Sequence, residues 1–331
     1  MTKSLKNLNR VALTTGDRDG IGLEVAAKAL CDLKLSIKKS SSLFFLFRHF
    51  EDEKTQAKCF KLIDRHYTRL TFESLSAALG FLDSFPSASR LPQNCLIDLS
   101  LKTSEAHWVF EAAVACASKR LTSMVTGPLS KTKSSRLVGK PLGHTGIFRQ
   151  LFPKNPMHMA FVGKHFNVLL ATDHIPLSTV EPELKRGALR SALKNSVQLR
   201  KILKDKRKIG VLGLNPHSGE GGLIGKTERH LFANLNNKVF AGPLVPDAAF
   251  LKDVRSRYSI LVCLYHDQGL IPFKAEHGQD SGVHVTTGLS FVRTSVDHGT
   301  AFDIFNKNLA NPHSMRDAIL LNLQLLGVKN A

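Results

Sequence analysis

The chain has 331 residues, 43% of them hydrophobic, with 46 Lys plus Arg against 27 Asp plus Glu and a formal charge of +19. That length can bury a large core and suggests two domains, while an odd count of 5 cysteines without a C-x-x-C pair excludes a disulfide framework. The charge favours anionic partners, yet the basic residues are dispersed and no aromatic-interleaved RNA signature accompanies them, so most read as solvated surface.

The first ten residues lack the apolar core of a signal peptide, and no apolar run is long enough to span a bilayer, so a cytoplasmic location is expected. Asn9 to Thr14 reads as a short strand, followed by the turn T-G-D-R-D-G-I-G and a helix from Leu23 to Leu30. This is the opening of an α/β unit. Asp17 and Asp19 would repel phosphate, which makes the turn a poor phosphate cradle. From Lys34 to Arg90 the pattern is least informative: Leu43 to Phe47 reads as a buried strand, Glu51 to Arg65 as helical, and the surroundings of Phe81 and Phe85 as a loop. Ser104 can cap a helix to about Arg120 with Trp108, Val109, Ala112, Ala113 and Cys116 buried, and Leu121 to Thr126 is then a strand. The polar loop that follows, dense in Lys131 to Lys140, ends at His144-Thr145 and a helix through Leu151. A helix N-terminus with a histidine and a hydroxyl can hold an anion; equally, Thr145 can simply cap that helix.

Met157 to Val162 and Asn167 to Thr172 read as a hairpin around Gly163-Lys164, and Pro182 as the start of a basic helix to about Leu203. Next, the apolar run Ile209 to Leu214 breaks at Asn215-Pro216 into H-S-G-E-G-G-L-I-G. Neither familiar phosphate motif fits: G-E-G-G-L-I-G-K-T has one residue too many for a P-loop, and Gly219, Gly221 and Gly225 miss the dinucleotide spacing. His217 in that loop is one of three histidines beyond apolar strands. His174 follows N-V-L-L-A-T, and His266 follows I-L-V-C-L-Y. Ligands of open α/β sheets sit outside the carboxyl ends of strands, so the three can converge as a catalytic, zinc-type set of neutral imidazoles with a fourth position open. Asp247 can serve as a metal or base partner, although a helix N-cap is the plainer role. Lys274 and Arg293 are cations between strand segments that can clamp phosphate or carboxylate. Ser314 to Leu326 closes the chain as a helix with one apolar face.

Taken together, T-T-G-D-R-D-G-I-G-L-E, V-T-G-P-L-S-K, G-H-T, T-D-H-I-P-L, L-G-L-N-P-H-S-G-E-G-G, Y-H-D-Q-G and S-F-V-R-T-S-V-D-H-G-T-A-F-D resemble the 4-hydroxythreonine-4-phosphate dehydrogenase family of pyridoxal phosphate biosynthesis. The resemblance runs in the family's order from Thr14 to Asp303. It implies a two-domain α/β/α sandwich of the isocitrate/isopropylmalate dehydrogenase type, not a Rossmann fold, with domains 1–128 plus 270–331 and 129–269. It implies oxidation of 4-phosphooxy-L-threonine by NAD, with NADP left open, and decarboxylation to 3-amino-2-oxopropyl phosphate. His174, His217 and His266 would bind a divalent metal, zinc ahead of magnesium or cobalt, in a homodimer whose interface completes the site. His144, Thr145, Lys274, His284 and Arg293 would bind the phosphorylated substrate. His298, Gly299, Thr300, Ala301, Asp303 and Asn311 would line the adenosine half of NAD. Asp247 or Asp267 would accept a proton or orient a ligating histidine.

The chain departs from the family pattern at His284 (usually Asn), Asp17-Arg18-Asp19 (usually Glu-Pro-Ala) and Ser130 (usually His). His284 keeps a second substrate class in view, the four-carbon sugar-acid phosphates threonate and erythronate 4-phosphate. A phosphate acyltransferase shares the general fold but would not need the three histidines. A nucleic-acid-binding protein would use the +19 charge without them, and no nucleic-acid or membrane partner is expected.

Overall fold

A computed structural model describes residues 8–85, 90–130, 143–278 and 282–328, so the expected Lys131 to Lys140 patch lies outside the described residues. The strands are β1 (Asn9–Thr14), β2 (Ser42–His49), β3 (Thr68–Phe72), β4 (Cys95–Leu101), β5 (Ser123–Thr126), β6 (His158–Gly163), β7 (Asn167–Leu170), β8 (Lys208–Leu212), β9 (Phe240–Leu244), β10 (Tyr258–Cys263), β11 (Gly282–Thr287) and β12 (Val292–Ser295). They divide between two compact units, Met1–Pro153 with Ser290–Ala331, and Lys154–Leu289. The described residues 143–153 thus fall in the first unit, and 270–278 with 282–289 in the second.

In the first unit the strand order is β3-β4-β2-β1-β5-β12, and every pairing is parallel. Parallel strands are covered on both faces, which explains why β2 is buried along its whole length and reads as an apolar run from Leu43 to Phe47. The helix Gly22–Leu33 follows β1, and Gly22 permits it to start there: a Cβ would lie 1.5 Å from the Thr15 carbonyl oxygen. Gly16, at φ +79°, packs on Pro128, where a Cβ would lie 2.0 Å from the carbonyl oxygen. The glycines of this turn thus serve backbone packing.

The second unit runs β11-β6-β7-β10-β8-β9. Its β6–β7 hairpin and β11 pair antiparallel, whereas β7, β10, β8 and β9 are parallel neighbours. Met159, Phe161, Val168, Leu170, Leu261, Cys263 and Phe273 form its core.

Several expectations need correction. Phe81 lies in a helix, Leu75–Asp83, which Ser74 caps by accepting from Ala77 N–H and which buries Leu75, Ala78, Leu79 and Leu82. Ser104 stands at the N-cap of Glu105–Ala117 but makes no side-chain cap bond. The N-cap of His144–Leu151 is Gly143, so Thr145 sits inside the first turn. Pro182 lies within the helix Leu177–Glu183, and the basic helix Leu189–Ile202 begins only past Gly187, whose φ of 121° breaks the run. Lys274 lies between β10 and β11, on the helix His266–His277, whereas Arg293 lies within β12 itself and not between strands. Asp247 is in the first turn of Pro246–Ala249, where the N-cap is Val245. Among the described residues no helix is long and apolar enough to cross a membrane.

Candidate active site

The second unit carries the three strand-end histidines. Leu170 of β7 pairs with Cys263 of β10, and Val262 of β10 with Val211 of β8, so the three strands finish side by side. His174, His266 and His217 follow those ends. The His174 and His266 rings stand 5.0 Å apart between centroids. His266 Nδ1 lies 2.6 Å from Asp267 Oδ1, which fixes the imidazole with its proton toward the carboxylate and leaves Nε2 for a ligand. His217 is exposed at the next strand end. Among the described residues no three His, Cys, Asp or Glu side chains are close enough together to hold a metal. The chemistry of the three side chains, all imidazoles, suits zinc.

Hydrogen bonds tie these ends together. Ala171 N–H donates to the Cys263 carbonyl (2.8 Å) and the Thr172 hydroxyl to the Leu264 carbonyl (2.8 Å), joining the His174 segment to the His266 segment. Gln268 Oε1 accepts from Leu264 N–H (2.6 Å) while its Nε2 donates to the Gly213 carbonyl (2.8 Å), joining the His266 segment to the His217 segment. Beyond Gly213 the backbone turns left-handed through His217, Ser218, Gly219, Glu220 and Gly221, at φ 47°, 53°, 77°, 43° and 64°. Left-handed geometry costs an L-residue about 1–2 kcal/mol, so the turn needs external support. Glu228 supplies it: its carboxylate accepts from Leu214 N–H (3.0 Å), Asn215 N–H (2.7 Å) and Asn215 Nδ2 (3.0 Å). Those bonds hold the Glu228 carboxyl below its ordinary range despite burial, which pushes the other way. Sequence reading missed both residues; a glutamine two places after a candidate ligand was the available signal. A cavity of about 770 Å³, lined by Leu177, Ser178, Glu181, Leu214, Asn215 and Tyr265, opens beside the same strand ends. Also in this unit, Lys274 is exposed, and His284 is buried in β11 with its ring stacked on Phe161 at 5.1 Å.

The first unit carries the anion-binding candidates His144, Thr145 and Arg293. Arg293, on β12, is 1% exposed; it donates to Thr126 Oγ1 (2.5 Å) and its guanidinium lies 5.4 Å from the Phe148 ring centre. His144 is one turn before Phe148 on the same helix face, and its Nε2 is buried with no hydrogen-bond partner among the described residues. Burial, reinforced by the Arg293 charge, holds the His144 imidazole well below its ordinary value. Burial pushes Arg293 down to about 9, which leaves it cationic at neutral pH. A neutral donor beside a cation suits a phosphate. Of the proposed adenosine loop, His298 Nε2 is likewise buried without a partner among the described residues, and the Thr300 carbonyl accepts from Ile21 N–H (3.0 Å). Gly299 is exposed, Ala301 is left-handed at φ 45°, Asp303 is exposed, and Asn311 Oδ1 accepts from His313 N–H (3.0 Å). A polar atom orphaned in this loop fits a nucleotide hydrogen bond. Arg18 and Asp19, two of the departing positions, line a cavity of about 450 Å³ with His49, Lys102 and Glu105.

Residues 100–322 match the family described as pyridoxal phosphate biosynthetic protein PdxA. The chain belongs to this family. The 4-hydroxythreonine-4-phosphate dehydrogenase of Campylobacter fetus subsp. fetus is 34% identical over 96% of this chain and 99% of its own length. The D-threonate 4-phosphate dehydrogenase of Bordetella bronchiseptica is 29% identical over 92% of this chain and 89% of its own. A crystal structure of a 4-hydroxythreonine-4-phosphate dehydrogenase from Burkholderia phymatum superposes with a TM-score of 0.72 at 26% identity, covering 96% of this chain and 98% of that one. The mixed α/β architecture is thus that of its PdxA relatives, and those relatives are oxidoreductases by name.

Proposed function

We propose that the chain oxidises 4-phosphooxy-L-threonine at C3 with NAD and a divalent metal, and that the resulting β-keto acid loses carbon dioxide to give 3-amino-2-oxopropyl phosphate, a step of pyridoxal 5'-phosphate biosynthesis. The observation that carries this reading is the side-by-side ending of β7, β10 and β8, each followed by a histidine, in a chain of the PdxA family. His174, His217 and His266 hold the metal, and Asp267 orients His266. That leaves Asp247, exposed at the start of its short helix, for the proton-accepting role. Zinc held by these histidines would supply a Lewis acid for the C3 oxygen, and NAD would supply the hydride acceptor. Neutral His144 donates to the phosphate and Arg293 neutralises it, with Thr145 in the same helical turn. Lys274 and His284 are the substrate-binding residues proposed in the second unit. His298 to Asp303 and Asn311 receive the adenosine end, in a fold of the isocitrate/isopropylmalate dehydrogenase type. The parallel strands β3-β4-β2-β1-β5-β12, in a chain without a dinucleotide glycine fingerprint, support that fold.

A homodimer is part of the reading. Its support is four exposed apolar side chains, Leu177 (72%), Leu223 (87%), Leu251 (61%) and Ile271 (68%), on the segments that follow β7, β8, β9 and β10.

His284 favours one second reading, oxidation of threonate or erythronate 4-phosphate. NADH absorbance with each substrate, before and after chelation and zinc restoration, tests both. Metal-dependent signal with 4-phosphooxy-L-threonine supports the first; signal only with a sugar-acid phosphate replaces it with the second; full activity after exhaustive chelation removes the metal from either.

A further inference from the structure

We infer that Glu228 and Gln268 are positioning residues that set where His217 stands relative to His266. The inference rests on the metal reading of the three histidines and adds the parts that hold them. His217 sits on a segment anchored at two points before the left-handed turn. At Gly213 the anchor is Gln268, whose amide spans from Leu264 N–H to the Gly213 carbonyl, and Leu264 is two residues before His266. At Leu214 and Asn215 the anchor is Glu228, which takes up two backbone N–H groups and the Asn215 amide.

Both side chains are nearly inaccessible, at 5% for Glu228 and 8% for Gln268. Neither therefore meets bulk solvent as a surface carboxylate or amide would. The chemistry of each is specific to its place. Gln268 must donate and accept at once, which a carboxylate cannot do. Glu228 accepts from three donors, two on Oε1 and one on Oε2, and an amide there would set its NH2 against Asn215 Nδ2 and force the Asn215 amide to turn over. The turn has no slack to compensate: a Cβ on Gly219 would lie 2.7 Å from Glu228 Oε2, and one on Gly225 would lie 2.3 Å from Asn215 Nδ2. Glu228, Asn215 and the glycines are one close-packed latch. Loosening it changes the direction of His217 without removing a ligand.

The test uses full-length Glu228→Gln, Gln268→Met and His217→Ala beside the parent protein, with zinc affinity measured by chelator competition and geometry by the visible spectrum of the cobalt(II)-loaded form. Thermal unfolding of the metal-free proteins reports folding. Outer residues that orient ligands typically change metal affinity by roughly 10–100-fold, and that loss, with an altered cobalt spectrum, is expected for both positioning variants. Unchanged zinc affinity and an unchanged cobalt spectrum in Glu228→Gln and Gln268→Met, with His217→Ala losing the metal, overturn the positioning role alone. Parent-like zinc binding by His217→Ala overturns the metal reading itself. Should either positioning variant fail to fold, Asn215→Asp, which sets a like charge against Glu228, supplies the same comparison from the other side of the latch.

Discussion

At the scale of single residues the first unit carries a buried cation, Arg293, and the second the three strand-end histidines. Arg293 is held rigidly under Phe148 and against Thr126, so its planar fork matters as much as its charge. Arg293→Lys is expected to raise KM for the phosphorylated substrate at least about tenfold, with a smaller change in kcat, in steady-state kinetics. An unchanged KM would remove it from the phosphate site. A different histidine governs stability. His277 is buried, its Nδ1 donating to the Phe273 carbonyl (2.9 Å) and its Nε2 accepting from His165 N–H (3.0 Å), an arrangement available only to the neutral ring. Burial lowers its pKa, with His165 and Arg255 lowering it further and Glu276 opposing them. Because the unfolded chain takes up that proton first, stability falls as pH drops below about 6.5, the free histidine value, toward the depressed folded value. His277→Gln should flatten this acid limb in urea-denaturation midpoints measured between neutral and mildly acid pH. An equally steep limb would assign it elsewhere.

At the scale of elements, the helix His266–His277 is what fixes the site in the second unit, because His266, Asp267 and Gln268 occupy its first turn. Gly269 lets that turn lie against the sheet: a Cβ there would meet Leu170 Cδ2 at 2.8 Å and Cys263 Sγ at 2.9 Å. Gly269→Ala should therefore displace the helix from β7 and β10, at a cost of about 1–3 kcal/mol in unfolding free energy, with a parallel loss of zinc affinity. Normal metal binding in a destabilised variant would separate the helix seat from the histidine geometry. Elements with strong patterns were legible beforehand: β1, β2, the β6–β7 hairpin and the last helix all stand where periodicity put them. Those that failed had a tertiary cause. Pro182 was tolerated inside a helix, and Phe81 was carried into one by the buried face of Leu75, Ala78, Leu79 and Leu82.

At the scale of the whole molecule, metal binding and folding should be linked, since an ion bound only by the folded chain stabilises it by mass action. Chelation is expected to lower Tm, zinc to restore it, and His217→Ala to show neither response; calorimetry with and without chelator checks this. The sequence by itself determined the family, the α/β character and the three strand-end histidines, because apolar runs ended by turn residues are local signals that survive without tertiary context. It left Arg48 unread: fully buried in β2, it pairs through two 2.8 Å bonds with Asp98 of β4, fifty residues away. Glu228 and Gln268 were hidden in the same manner. Only the tertiary structure could decide their roles, since what they hold is backbone distant in the chain, and donors and acceptors of the main chain have no signature in the residue string.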